Sequence, residues 1–173
     1  MNDAKAFRNA LGHFATGVTI VTARSAEGIP AGVTINSFSS LSLDPPLVLW
    51  NLVKTAKSFP VFSVATHFSV HVLTAGQQAL SERFASSSIT KFDHIAYVDG
   101  LGNAPLLSGC AAIFECAMER CLEGGDHKIL IGRVERFSQN PDVLPLLFYR
   151  GRYVVPGPGG LFFPTPDLAA ESQ

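Results

Sequence analysis

Three stretches of the chain place polar or charged side chains at spacings that could hold a ligand. The first is residues 31–46, AGVTINSFSSLSLDPP. Thr34 and Asn36 fall two apart on a predicted strand, so both point to one side. Asn is depleted in strands, so Asn36 between apolar neighbours needs a reason to be there. Ser37, Ser39, Ser40 and Ser42 follow, with Phe38, Leu41 and Leu43 between them. Such a stretch can offer several short hydrogen-bonding groups to a planar polar ligand, or it can be a Ser-rich turn that satisfies its own backbone. The second stretch holds Lys54, Thr55, Lys57 and Ser58 at the start of a predicted helix. Unpaired amides and the positive end of the helix dipole favour an anion there. An ordinary N-cap beside exposed lysines is the alternative. The third is Asp126-His127 in a Gly-containing turn, where a carboxylate can orient an imidazole or simply face water. Lys91-Phe92 sits in a polar loop, and Arg150, Arg152 and Tyr153 flank Gly151. His13, His67, His71 and His94 have no comparable surroundings and read as structural or surface residues. No Ser-His-Asp order and no nucleophile elbow appears, Cys116 lacks a partner, and no His or Cys cluster has metal spacing.

The elements that must position these residues are mostly strands. Asp3 can cap a first helix carrying Phe7, Ala10, Leu11 and Phe14 at helical spacing, ended by Gly17. Strands are predicted at 18–23 and 31–36 across a loop with Gly28 and Pro30. After the serine loop, Asp44, Pro45 and Pro46 punctuate the chain. Residues 47–53 are almost unbrokenly apolar, the pattern of a strand buried on both sides. Ser58 is a candidate N-cap of the next helix, with Pro60 tolerated in its first turn. A strand at 68–73, a short helix at 77–84 and a polar irregular segment at 85–94 come next. Residues 111–122 form a long predicted strand with Ala112, Phe114, Cys116, Met118 and Leu122 on one face and Glu115 and Glu119 on the other. It turns through 123–127 and pairs with 128–137, and strands at 146–149 and 153–155 follow. Many short strands and few helices favour an antiparallel barrel over a doubly wound sheet. No GxGxxG follows a strand, so a Rossmann site is not expected.

A chain of 173 residues can build one core and is too short for two ordinary domains. With 47% apolar and 16% charged residues it is not a disordered chain. A net charge of -1 gives no basic field for nucleic acid. No apolar run approaches the roughly 20 residues of a membrane span, and the N-terminus lacks the apolar core of a signal peptide. Cys110, Cys116 and Cys121 are odd in number and read as reduced thiols of a cytoplasmic protein. Low charge together with 13 Phe suggests apolar surface covered by a second copy.

The stretch GVTIN-SF-S-SLDPPLVL resembles the signature of the flavin reductase family, the small components of two-component flavin monooxygenases. FATGVTIVTA at 14–23, GGDHKILIGRV at 124–134 and PLLFYRGRY at 145–153 are similar to that family's entry strand, late hairpin and closing strand, in the family's order. The resemblance covers about residues 7–154 and implies a mainly β, split β-barrel fold over residues 1–155. From Pro156 on, Pro and Gly dominate, so 156–173 reads as a Pro/Gly-rich surface arm or disordered tail. It implies an NAD(P)H:flavin oxidoreductase that binds FMN or FAD and takes hydride from NADH or NADPH. It also implies a homodimer that supplies reduced flavin to a monooxygenase. Carried over residue by residue, Thr34, Asn36, Ser37 and Ser40 would contact the flavin ring and ribityl chain, and Lys54, Thr55, Lys57 and Ser58 its phosphate. Lys91 and Phe92 would lie near the flavin. Asp126 and His127 would stand where nicotinamide stacks, and Arg150 or Arg152 would border that cleft, where arginine suits a dinucleotide phosphate. A barrel that keeps its FMN and reduces another acceptor, and a non-catalytic ligand-binding barrel, are the rival readings.

Overall fold

The computed structural model describes residues 3–157 and 162–164. Helix α1 (Ala4–Leu11) leads into strands β1 (Thr16–Gly17), β2 (Thr19–Arg24), β3 (Pro30–Ile35), β4 (Ser39–Leu43) and β5 (Pro46–Val53). Helix α2 (Phe59–Val64), strand β6 (His67–Val72) and helix α3 (Gln78–Ala85) follow. Strands β7 (Tyr97–Asp99), β8 (Pro105–Leu107), β9 (Ala112–Gly124) and β10 (His127–Gln139) come next. The described chain closes with β11 (Leu147–Tyr149), β12 (Arg152–Pro156) and β13 (Phe162–Pro164).

Seven strands make one antiparallel sheet in the order β3-β2-β6-β9-β10-β5-β4. The two outermost strands, β3 and β4, are joined by only Asn36, Ser37 and Phe38. Four Cα steps reach at most about 14 Å, whereas seven flat strands would place their edges about 28 Å apart. The short crossover therefore forces the sheet to curl until its edges face each other, leaving a split rather than a closed ladder. Within the curl, Trp50 meets the edges of Phe62 at 5.0 Å and Phe68 at 5.7 Å. Val21, Val70, Cys116 and Leu130 complete this core. A second core joins Ile20, Leu73, Phe84, Leu107 and Leu146, with Phe148 and Tyr153 of the smaller sheet β1-β11-β12-β13 packed on it.

The structure departs from the sequence-based expectations at several elements. Asp3 caps α1 as expected, its Oδ1 accepting from the Lys5 and Ala6 amides at 3.0 and 2.9 Å. The helix stops at Gly12 and not at Gly17, because Thr16 and Gly17 pair with β11. None of its residues is buried. The serine stretch is no loop beyond Phe38, since Ser39–Leu43 pairs with β5 as an edge strand with a bulge between Ser40 and Ser42. Strand β5 is deeply buried on one face only, through Val48, Trp50 and Leu52. Glu115, expected on an outer face, is buried because the turn at Leu101–Asn103 covers it. Its carboxylate accepts from the Leu101 amide at 2.8 Å and from Arg136 at 2.7 Å. A register shift after Met118 breaks the alternation in β9, and Leu122 is exposed. Strands β7 and β8 fall where no strand was expected. In the arm, β13 pairs with β12 across the boundary placed at 155, and the rest of 158–173 lies outside the described residues.

Candidate functional site

The split is a cavity of about 440 Å³. Its walls are Val33, Thr34 and Ile35 of β3, the crossover residues Asn36 and Ser37, the end of β5 from Asn51 to Val53, and Gly124, His127 and Ile129 of the β9–β10 hairpin. Aliphatic side chains supply most of the surface, and a few polar groups converge on it, the usual make-up of a site for a planar cofactor. Asn36 is exposed at the rim, with one amide donor face and one acceptor. Thr34 lines the cavity, but its hydroxyl donates to the Ser81 carbonyl at 2.6 Å, so only its lone pairs remain for a ligand. Ser37 is likewise engaged. Its Oγ accepts from the Asn51 amide at 3.0 Å and donates to the Asn51 carbonyl at 3.3 Å. Ser39 pairs with Leu49, so Ser37 opposite Asn51 continues that register with a side chain in place of the ladder, and this pins the rim.

A second cavity, about 170 Å³, abuts the first along β3. Pro30, Ala31 and Gly32 form its floor, with Lys57, Ser58, Lys91 and Phe92 around it. Gly32 is needed here, because a Cβ at this position would stand 2.4 Å from the ring of buried Phe84. Lys91 donates to the Phe84 carbonyl at 2.8 Å and to the Gly32 carbonyl at 3.2 Å. Burial first, and then the charge of Lys57, hold its ammonium pKa below the ordinary lysine value. Two cations held this close favour an anion between them. The Ser58 hydroxyl makes no capping bond, because its backbone is already in the helical region, and α2 spans only six residues. The anion-binding capacity here rests on side chains and not on a helix start. Phe92 is structural, edge-on to Phe84 at 5.0 Å and Tyr97 at 5.5 Å.

Lys54 stands apart from Lys57. Its amide donates to the Asp126 carbonyl at 3.0 Å, and its ammonium to the Gly125 carbonyl and the Glu123 carboxylate, both at 2.7 Å. Lys128 and Lys54 together pull the Glu123 carboxyl down to about 2. The result clamps the hairpin that carries His127. His127 is the first residue of β10 rather than a turn residue, paired with Val53. Its Nδ1 lies 2.7 Å from Asp126 Oδ1. A carboxylate only accepts, so Nδ1 carries the proton and Nε2 is the ring's open position. The same bond is the main cause that lowers the Asp126 pKa. Ser40, Thr55 and Arg152 line none of these cavities.

A third, larger groove of about 1100 Å³ is lined by Asn36, His127, Thr16, Phe148, Arg8, His13 and Arg150 among others. His13, expected as a structural or surface residue, is exposed and meets Arg150 from 137 residues away. Asn36 and His127 belong to both the groove and the first cavity.

The split antiparallel barrel, whose cavity shares Asn36 and His127 with a larger groove, is the fold of known flavin reductases. A family described as "Flavin reductase like domain" matches residues 11–156. "FMN reductase (NADH) SmoA" of Agrobacterium fabrum is 46% identical over 87% of this chain and 85% of its own length. The reductase subunit HsaB of a flavin-dependent monooxygenase from Rhodococcus jostii is 41% identical over 87% of this chain and 77% of its own. The solved structure of the Streptomyces globisporus NADH:FAD oxidoreductase SgcE6, in complex with NAD and FAD fragments, superposes with a TM-score of 0.86. It is 39% identical and covers 92% of this chain and 96% of that one. The chain belongs to the flavin reductase family.

Proposed function

We propose that the chain is an NAD(P)H:flavin oxidoreductase that reduces FMN or FAD and passes the reduced flavin to a partner monooxygenase. The observation that carries this is the sharing of Asn36 and His127 between cavity and groove. A ring in the one and a donor in the other meet at these two side chains. A bound flavin supplies the hydride-accepting ring, and the nicotinamide supplies the hydride. NADH is the donor in the names of two relatives.

The chain's own groups bind, orient and exclude water. Asn36 pairs with the donor and acceptor edge of the ring, while Ser37 holds the rim in place. Val33, Ile35, Leu52, Val53 and Ile129 keep water from the reacting face. Lys57, Ser58 and Lys91 receive the flavin phosphate in the second cavity. His127, with its tautomer set by Asp126, aligns the nicotinamide through Nε2. No proton abstraction is assigned to it, because hydride transfer needs alignment above all.

The protein works as a homodimer in this reading. Leu122 of β9 and Phe137 of β10 are 45% and 69% exposed, apolar surface on the long hairpin suited to a second copy. Sedimentation should give a dimer at micromolar concentration, and a stable monomer would overturn this part. Residues 1–155 form the catalytic domain, and the arm after it contributes β13. No helix among the described residues is long and apolar enough to cross a membrane, and the three cysteines are free, which fits the cytoplasm.

Colour and steady-state NADH oxidation test the reading. A colourless protein that oxidises NADH only with added FMN or FAD supports it. A yellow protein that needs no added flavin points to a tightly held cofactor and another acceptor. No oxidation under either condition leaves a binding barrel.

A further inference from the structure

Resting on that reading, we infer that Lys54 is a positioning residue for His127. Together with Glu123 it holds the tip of the β9–β10 hairpin in the place from which His127 aligns the nicotinamide, and it takes no part in binding the flavin phosphate. The family resemblance puts Lys54 among the phosphate contacts. In the structure it lines none of the three cavities, whereas Lys57 and Lys91 both line the second.

The ladder between β5 and β10 ends at Val53 opposite His127, and Lys54 is the next residue. Beyond that pair lies the two-residue turn Gly125-Asp126, for which Gly125 supplies a φ of 70°. Lys54 holds both carbonyls of this turn. Its amide donates to Asp126 at 3.0 Å, and its ammonium donates to Gly125 at 2.7 Å. The same ammonium lies 2.7 Å from one oxygen of Glu123, whose other oxygen accepts from Lys128. Lys128 first, and then Lys54, hold the Glu123 carboxyl down to about 2, so this anchor stays charged at neutral pH. One side chain therefore ties the last turn of β9 and the whole tip to the end of β5. His127 follows directly, with its Nδ1 bonded to Asp126. Any shift of the tip moves both the ring and the carboxylate that sets its tautomer. The Lys54 and Glu123 side chains are 40% and 66% exposed, and pairs this open contribute little to stability. Their effect falls on where His127 stands, and hydride transfer is sensitive to small misplacements.

Lys54→Met keeps the stem and removes the ammonium. In the ligand-free protein, hydrogen exchange over residues 123–128 should speed up severalfold, with the melting temperature and the other segments unchanged. Flavin titration should give FMN and riboflavin their wild-type affinities, whereas Lys57→Met should weaken FMN alone. In anaerobic single turnover at saturating NADH, Lys54→Met should bleach the flavin about tenfold more slowly than wild type. Lys54→Arg should recover most of that rate. Lys54→Met added to His127→Ala should slow the step no further, because the two residues act as one unit. A loss of FMN affinity with riboflavin unchanged would return Lys54 to the phosphate and overturn the inference. So would a wild-type bleaching rate in Lys54→Met, or a further loss on top of His127→Ala. A wild type that bleaches no flavin would contradict the proposed function itself and this inference with it.

Discussion

At the scale of single residues, Asn36 and His127 were legible because each breaks its local pattern. Asn36 interrupts an apolar strand, and His127 follows a carboxylate at a Gly turn. The structure brings both to one rim. Removing the Asn36 amide should weaken flavin binding by about 1–3 kcal/mol. The melting temperature should stay at the wild-type value, since the side chain is exposed at the rim. Flavin titration of Asn36→Ala checks this, and wild-type affinity for both FMN and FAD would remove Asn36 from the ring contact. Other polar residues are not told apart by sequence, for a physical reason. Hydroxyls within a serine-rich stretch look alike in sequence, yet Ser37 bonds the Asn51 backbone while Ser40 faces outward on an edge strand. Arg152 stands at the base of its hairpin, opposite Tyr149, whereas Arg150 occupies the tip beside the groove.

At the scale of elements, the long strands were legible from alternation, and the pairing of β9 with β10 follows from the Gly turn between them. What alternation misses is anything that depends on a distant segment. Glu115 reads as outward-facing until the turn at Leu101–Asn103 folds over it. The second cavity depends in the same way on Gly32 of β3 meeting α3. An added methyl at Gly32 would collide with Phe84, which is fully buried and has no room to retreat. Gly32→Ala should therefore cost about 1–3 kcal/mol of stability. It should also weaken FMN, because the floor of the cavity shifts. Denaturant unfolding and FMN titration of the same variant check both, and an unchanged midpoint would mean that the Phe84 ring swings aside freely. Lys54 and Lys57 show the same limit of the sequence. Three residues apart in the chain, Lys54 clamps the β9–β10 hairpin while Lys57 lines the second cavity.

At the scale of the whole molecule, the barrel type was legible from strand density and family resemblance. The two-core arrangement was not, because β7 and β8 lie in a segment of weak periodicity. His71 ties these parts together. It is fully buried, its Nδ1 donates to the Ile20 carbonyl at 3.0 Å, and its Nε2 accepts from the Leu107 amide at 3.1 Å. The bond from Leu107 requires an unprotonated Nε2 and so a neutral imidazole, and burial pushes its pKa down to about 4. The unfolded chain takes up this proton near pH 6.5. Protons therefore favour unfolding, so the stability is whole above about pH 6.5 and falls as the pH drops toward 4. Between pH 7 and pH 5 the loss from this group should be about 2 kcal/mol. Urea unfolding at both values should show that loss in wild type and a flatter dependence in His71→Asn. An equal slope in the two would assign the acid sensitivity elsewhere.

In the proposed function, a ring in the barrel split and a nicotinamide in the groove would meet at His127. Anaerobic single-turnover mixing of the flavin-loaded protein with excess NADH, followed as loss of flavin absorbance, tests it most directly. Wild type should bleach in one fast phase. His127→Ala should bind flavin as before and bleach on the order of a hundredfold more slowly, since misplacing a reactant by about an ångström costs that much. A variant that bleaches at the wild-type rate, or a wild type that does not bleach at all, would contradict the account.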